Sequence, residues 1–256
     1  MLAALSTLVA PWRQAYSRVT YRGVGLAVST PGRGRSSVPS GEWQTDAINN
    51  GEGSTMFVQV IQGRVEEPAK LRAALDQWKE QLRPGASGWL GSTSGVTDDG
   101  RFIALVRFDS EESAQRNSDR PEQGAWWSET SQHLSDVTFR NSTHVNEDVV
   151  GDPGSAGFVQ VMEGHGSNPE RAREIMSQDS EAWAAFRPDV LGNLVVEHDD
   201  GAFTMVIYFP SEETAREGEA KEMPPELQGN MDELNSLMTG EPTFYDLKDP
   251  WLDSPS

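Results

Sequence analysis

The sequence predicts an α+β protein built from two tandem copies of one β-α-β-β-α-β unit. Residues 56–63 (MFVQVIQG) recur as residues 157–164 (GFVQVMEG), and residues 98–114 (DDGRFIALVRFDSEESA) recur as residues 199–215 (DDGAFTMVIYFPSEETA). Thr138-Phe139 likewise recur as Thr243-Phe244, so the spacing stays between 101 and 105 residues. A period near 100 residues is the length of a small domain rather than of a solenoid repeat. The chain therefore contains a duplicated domain.

The first half of the unit follows from hydrophobic spacing. Residues 57–62 (FVQVIQ) are rich in strand-forming residues and end at Gly63, which predicts the first strand. Residues 67–83 predict a helix that Pro84 and Gly85 end. The apolar residues of this helix fall at spacings of three and four on one face, at Leu71, Leu75, Trp78 and Leu82.

The second half of the unit contains its strongest strand. Residues 88–96 predict a second strand, and the turn Asp98-Asp99-Gly100 joins it to the third strand at 101–108 (RFIALVRF). Ser110 predicts the start of a second helix, which breaks near Pro121 and resumes to about residue 134. Residues 137–142 (VTFRNS) close the unit as a fourth strand. This order is the ferredoxin-like split unit, and the second copy repeats it over 157–247.

The predicted organisation is two modules with short flanking segments. We expect a disordered extension at 1–55, a first module at 56–145, a linker at 146–156, a second module at 157–249 and a tail at 250–256. Residues 1–40 contain five arginines and no acidic residue, and their STPGRGRSSVPSG stretch cannot bury a core. Met56 lies directly before the first strand, so we hypothesise that the natural protein starts there.

Composition excludes several classes of function. The chain has no cysteine, which excludes disulfides and thiolate metal sites. Residues 56–256 carry 16 basic and 37 acidic residues, a net charge of −21, which argues against a nucleic-acid surface. No apolar run reaches the roughly 20 residues that cross a membrane, and no basic residue precedes the apolar residues 2–10 as in a secretory signal. We therefore expect an acidic, cytoplasmic protein.

Alternation along the third strands predicts which side of each sheet the helices cover. The uniformly apolar set is expected under the helices: Phe102, Ala104, Val106 and Phe108, with Phe203, Met205, Ile207 and Phe209 in the second module. The alternate set is expected between the sheets: Ile103, Leu105 and Arg107, with Thr204, Val206 and Tyr208. We expect Gln59 and Gln160 in the same central space. Two such sheets bury their open faces against each other and form an intramolecular α/β barrel, a pseudo-dimer that leaves further association open.

Residues 108–127 (FDSEESAQRNSDRPEQGAWW) resemble a segment of the antibiotic biosynthesis monooxygenase (ABM)-like proteins of the dimeric α/β-barrel superfamily. That segment contains the third strand, a Ser/Glu helix start and a second helix with a tryptophan. The resemblance covers residues 56–247 and depends on pattern more than on a signature motif. It implies a small aromatic or polycyclic substrate, held between sheet and helices, that reacts with oxygen without metal or flavin. The residues that recur at the active sites of such enzymes are an Asn on the first strand and a Trp and a His on the second helix.

Carried onto this chain, the resemblance implies a site mainly in the first module. It assigns three catalytic residues, Gln59 in place of the family Asn, Trp126 and His133, and four ligand-binding residues, Arg107, Trp127, Gln160 and Tyr208. Trp126, Thr130 and His133 are expected on one helical face. Gln59 is longer than the family Asn, and the second helix of the second module has neither Trp nor His. No cofactor or metal is expected, since His144, His165 and His198 lack metal-ligand spacing.

Each of these residues also has a structural interpretation. Trp126 and Trp127 can be core residues, and His133 can complement a helix dipole. Arg107 can form a salt bridge across the barrel, and Gln59 and Gln160 can hydrogen-bond each other. Three functions therefore stay open: an oxygenase for a small aromatic metabolite, a non-catalytic ligand-binding or stress-associated protein, and, with weaker support, a haem-binding protein.

Overall fold

A computed structural model describes residues 56–178 and 180–255, apart from the side chain of Ser180. The expected N-terminal extension therefore lies outside the described residues. The described chain has ten strands: β1 Phe57–Val65, β2 Trp89–Val96, β3 Arg101–Phe108, β4 Leu134–Ser142, β5 Val145–Val149, β6 Phe158–His165, β7 Gly192–Glu197, β8 Ala202–Phe209, β9 Thr243–Leu247 and β10 Trp251–Asp253. Its seven α-helices are α1 Pro68–Gln81, α2 Glu111–Ser118, α3 Pro121–Thr130, α4 Pro169–Ser177, α5 Ser180–Phe186, α6 Glu212–Glu219 and α7 Pro225–Leu237. None of these helices is long and apolar enough to span a membrane.

Two five-stranded antiparallel sheets form the framework. Their strand orders are β10-β2-β3-β1-β4 and β5-β7-β8-β6-β9. Within each module the first strand lies between the third and the fourth, as in a ferredoxin-like unit. The helices start where the sequence provides caps: Ser110 accepts a hydrogen bond from Ser113, and Ser211 forms a reciprocal capping box with Thr214. The predicted α+β architecture is confirmed.

The two modules exchange their last strands, which the sequence did not predict. β5 lies in the segment expected to be the linker, yet it pairs with β7 in the second sheet. β10 lies in the expected tail and pairs with β2 in the first sheet. Both strands are short and their residues lack a clear alternating pattern, so only the partner sheet identifies them.

Glycines make room for both exchanged strands. A Cβ on Gly91 would lie 2.6 Å from the backbone oxygen of Asp253, and a Cβ on Gly192 would lie 2.8 Å from that of Asp148. Gly91 also has a φ of +135°, which side chains other than glycine rarely adopt. The second strand of each module therefore needs glycine where the strand of the other module arrives.

The two faces of each sheet are those that the alternation predicts. Val58, Val60, Ile103 and Leu105 of the first sheet pack between the sheets in one buried cluster. Their partners from the second sheet include Val159, Val161, Leu194, Val196, Val206 and Tyr208. The other set packs under the helices, with Phe102, Ala104 and Phe108 in the first module and Met205, Ile207 and Phe209 in the second.

The expected position of Gln59 and Gln160 between the sheets is wrong. Because Val58 and Val60 belong to the central cluster, the pleat turns Gln59 toward the helices, and Val159 and Val161 do the same for Gln160. The two amides also do not hydrogen-bond each other. Gln59 donates to Asn141 at 3.2 Å, whereas Gln160 donates to Glu219 at 3.3 Å and to Asp246 at 3.1 Å.

Polar contacts link the modules across the central core. Inside it, the hydroxyls of Thr93 and Tyr208 are 2.6 Å apart, and burial raises the pKa of Tyr208. Around it, four charged or amide side chains reach across: Arg107 to Glu147 at 2.9 Å, Gln62 to Glu163 at 2.5 Å, Arg140 to Asp200 at 2.8 Å and Lys248 to Asp98 at 2.6 Å. The salt-bridge interpretation of Arg107 is thus the one that the structure supports.

We expect the Thr93–Tyr208 hydrogen bond to couple the stability of the two modules. Thr93→Val leaves the Tyr208 hydroxyl buried without this partner, which lowers the free energy of unfolding by about 1–3 kcal/mol. The double variant Thr93→Val/Tyr208→Phe removes both groups and should lose less than the sum of the two single losses. Urea unfolding of wild type, Thr93→Val, Tyr208→Phe and the double variant measures this coupling. Strict additivity of the two single losses would contradict it.

Candidate functional site

A cavity of about 280 Å³ lies between the first sheet and helices α1, α2 and α3. The first module thus keeps open space on its helix side, where the resemblance expects a substrate. The aromatic side chains of its wall are Trp78, Trp89, Phe102, Phe108, Trp126, Trp127 and Phe139. The polar side chains of its wall are Gln59, Ser92, Ser94, Asn117, Ser118, Gln123 and Thr130.

Tryptophans from three elements form a connected wall. Trp89 of β2 lies 5.5 Å from Trp78 of α1, centroid to centroid, in an edge-to-face arrangement. Trp78 contacts Trp126 at 6.4 Å, and Trp126 contacts Trp127 at 6.1 Å. Trp127 then meets Phe139 of β4 edge-to-face at 5.4 Å. Such a wall offers flat apolar surfaces, which suit the faces of an aromatic ligand.

Hydrogen bonds fix two of these indoles. Trp126 donates its Nε1–H to the backbone oxygen of Ala74 at 3.0 Å, and Trp78 donates to the amide oxygen of Gln123 at 2.7 Å. The Nε1 of Trp89 is buried and has no hydrogen-bond partner. The indole N–H of Trp126 therefore serves the packing of α3 on α1, so that Trp126 contributes its ring rather than a free donor to the cavity.

Among the residues that the structure describes, none of those lining the cavity has an ionisable side chain. Its first-strand polar group is Gln59, which is half-buried and donates to Asn141 on β4. The hydroxyls of Ser92 and Ser94 belong to the floor formed by β2. The cavity is therefore neutral, apolar for the most part, and edged by amides and hydroxyls.

Three of the seven predicted site residues meet in this cavity. Gln59, Trp126 and Trp127 all line it. His133 is not part of its wall. The α-helix ends at Thr130, and residues 131–133 form a 3₁₀ turn, so the expected helical face does not extend from Trp126 to His133. Thr130 and Leu134, on either side of that turn, do line the cavity.

The other predicted ligand residues lie elsewhere. Arg107 and Tyr208 face the central core, on the opposite side of the sheets from the helices. Gln160 is fully buried in the second module, 101 residues after Gln59. Its amide is held by two carboxylates, Glu219 and Asp246, and Arg216 binds both of them. These three residues are therefore separated from the first-module cavity.

The second module fills the corresponding space with side chains. Trp183 packs with Leu227 and Met231 in a buried cluster, and a cavity of about 70 Å³ lies on the helix side of this module. Counted from the proline that begins each helix, Met231 and Leu234 correspond to Trp127 and Thr130. Both are buried. Among the described residues, the cavity of the first copy is therefore about four times as large as this cavity of the second copy.

Trp78, Trp89 and Phe139 line the cavity but were not predicted as parts of a site. Trp78 was expected only as a core residue of α1, although its spacing did place it on the inner face. Trp89 and Phe139 come from β2 and β4, and nothing local distinguishes them from core residues. Across residues 56–178 and 180–255, no group of three or more His, Asp or Glu side chains could hold a metal ion.

Three solved structures share this fold over most of the chain. A candidate monooxygenase from Lactobacillus acidophilus NCFM aligns over 77% of this chain and 99% of its own, with a TM-score of 0.58 and 11% identity. A candidate monooxygenase from Fusobacterium nucleatum subsp. nucleatum aligns over 79% and 96%, with a TM-score of 0.60 and 7% identity. An anthrone oxidase-like protein aligns over 77% and 93%, with a TM-score of 0.56 and 11% identity.

These likenesses establish the fold. The chain folds as an α/β barrel of two ferredoxin-like halves, as the sequence predicted, with both halves in one polypeptide. No protein-family model matches the sequence, and a search of curated proteins finds no match.

His198 lies at the edge of the small second-module cavity, and the burial of its side chain can be tested by changing the pH. Burial lowers its pKa to about 4, and the charge of Arg140 acts in the same direction. The neutral imidazole therefore favours the fold above pH 6.5, and this contribution is lost as the pH falls toward 4. We expect wild type to lose on the order of 2 kcal/mol relative to His198→Gln over that range. Urea unfolding at pH 7, 5.5 and 4 measures it.

His165→Gln is the control for this comparison, because the side chain of His165 is exposed in the same module. It should follow the wild-type pH profile. Parallel profiles for wild type and His198→Gln would contradict the burial argument.

Proposed function

We propose that this protein is a monooxygenase-like enzyme that acts on a small aromatic or polycyclic molecule in the first-module cavity. The open aromatic cavity carries the proposal. An apolar cavity of about 150 Å³ accommodates benzene, so one of about 280 Å³ has room for fused rings. Three residues that the resemblance assigned, Gln59, Trp126 and Trp127, line this space.

An anthrone illustrates the proposed reaction. Its CH₂ carbon first loses a proton, and the resulting carbanion, whose charge is shared with the carbonyl oxygen across the ring, reacts with O₂. The carbon loses its second hydrogen as the O–O bond breaks, so that CH₂ becomes C=O and one water forms for each O₂ consumed. Oxygen is the oxidant, and the substrate supplies all four electrons.

The residues of the cavity have separate roles in this proposal. The indole rings of Trp126 and Trp127 hold the flat substrate and exclude water from the carbanion. The amide of Gln59 can turn from Asn141 to donate to the developing oxyanion. His133 is the proposed base, since it lies in the turn between two wall residues, Thr130 and Leu134.

A neutral wall favours a second function, the binding of an aromatic ligand without turnover. Forming a carbanion in an apolar cavity is costly unless a charged or hydrogen-bonding group stabilises it. The wall contains no ionisable side chain to do so, and Gln59 is its first-strand amide. A ligand that stays neutral meets no such cost. The same cavity then serves to store or carry the molecule.

Oxygen uptake with anthrone as the substrate tests the enzymatic function. We expect the full-length protein to consume O₂ faster than buffer, and Gln59→Leu to lower kcat at least tenfold, as the loss of an oxyanion donor does. His133→Ala should also lower kcat. His144→Ala is its matched control, because it removes an exposed imidazole that does not line the cavity and should leave kcat unchanged.

Anaerobic titration with anthrone tests binding independently of turnover. Four tryptophans line the cavity, so a bound aromatic ligand should quench the intrinsic fluorescence in a saturable way. Trp127→Leu should weaken binding about tenfold, since one face of the ligand loses its stacking partner. Saturable binding without oxygen uptake would support the binding protein over the enzyme. No binding by any fused-ring compound would overturn both functions.

A further inference from the structure

We infer that Gly124 sets the size limit for the ligand of the first-module cavity. The missing side chain at this position leaves an opening beside Trp127, and an outer ring of a fused-ring ligand occupies it. The inference rests on the proposed function, because it takes the cavity as the binding site for an aromatic molecule.

Gly124 lies at the mouth of the cavity. It is the fourth residue of α3, and it is exposed although it is part of the cavity wall. Trp127 lies three residues further along the same helical face and is half-buried. Phe139, which packs edge-to-face on Trp127, is 46% exposed. These three residues therefore border the opening.

Neither the backbone nor the packing requires glycine here. A Cβ on Gly124 would meet no atom within 4 Å, and the φ of this residue lies outside the left-handed region. Glycine is also among the poorest residues in a helix interior, since it loses the most backbone freedom. The remaining reason for glycine at position 124 is that it leaves the mouth of the cavity open. A side chain at position 124 would extend into the mouth of the cavity.

Gly229 of α7 provides a matched comparison in the second module. A Cβ at this position would also meet no atom within 4 Å, and it too lies in a helix interior. It does not line the small cavity of that module. Open space around a helical glycine is therefore not the distinguishing feature. The distinguishing feature of Gly124 is its place at the mouth of a ligand-sized cavity.

The test compares ligands of one and three rings against two matched variants. Anaerobic fluorescence titration gives the Kd for phenol and for anthrone with wild type, Gly124→Leu and Gly229→Leu. We expect Gly124→Leu to weaken anthrone binding at least tenfold and phenol binding less than twofold. Gly229→Leu, which adds the same side chain to the other helix, should leave both Kd values as in wild type.

A second variant guards against a folding defect in Gly124→Leu. Gly124→Ala adds one methyl group in open space and should raise the Tm by about 2 °C. Its Kd for anthrone should lie between those of wild type and Gly124→Leu. A graded loss for anthrone alone supports the inference.

Two outcomes overturn it in distinguishable ways. If wild type binds neither ligand, the proposed function fails and the inference falls with it. If wild type binds both but the ratio of the two Kd values stays the same in the Gly124 variants, the inference alone is wrong.

Discussion

The burial of two apolar sheet faces against each other is the constraint on which the rest of this structure depends. A ferredoxin-like unit covers one side of its sheet with helices and leaves the other side open. Ile103 and Leu105 in the first sheet, and Val206 in the second, have no exposed surface because each sheet closes the face of the other. With that face occupied, the helix side is the place left for a ligand. Fusion in one chain also guarantees that each sheet always meets its counterpart.

Duplication explains how the two helix sides could diverge. Both copies contribute buried side chains to the central core, so neither helix side is needed to hold the two sheets together. On the helix side of the second copy, Trp183 and Met231 are buried, and Gln160 lies in a buried polar cluster. The first copy keeps an open space walled by tryptophan. One half thus acts as a filled scaffold and the other retains the geometry of a binding site.

Much of the fold was predictable from the sequence, because a clear alternation along a long strand indicates on which side of the sheet each side chain lies. The third strands did so, and their apolar sets lie where expected. Gln59 and Gln160 misled because a polar side chain does not reveal on which face a polar environment lies. The helical face expected to join Trp126 to His133 was wrong because the α-helix changes to a 3₁₀ turn after Thr130, which breaks the periodicity. The cavity itself was beyond prediction, since its volume depends on side chains from seven elements that meet only in the folded chain.

The exchanged strand β10 links the order of synthesis to the completion of the first module. Its residues follow the second module in the chain, yet Asp253 binds Lys79 on α1 at 2.7 Å and the ring of Trp251 lies 6.3 Å from that of Phe102 of the cavity wall. Until the ribosome has finished the second module, the first sheet has an unpaired edge at β2. The half that is made first is therefore completed last, and its sheet gains its edge strand only after β10 has been synthesised.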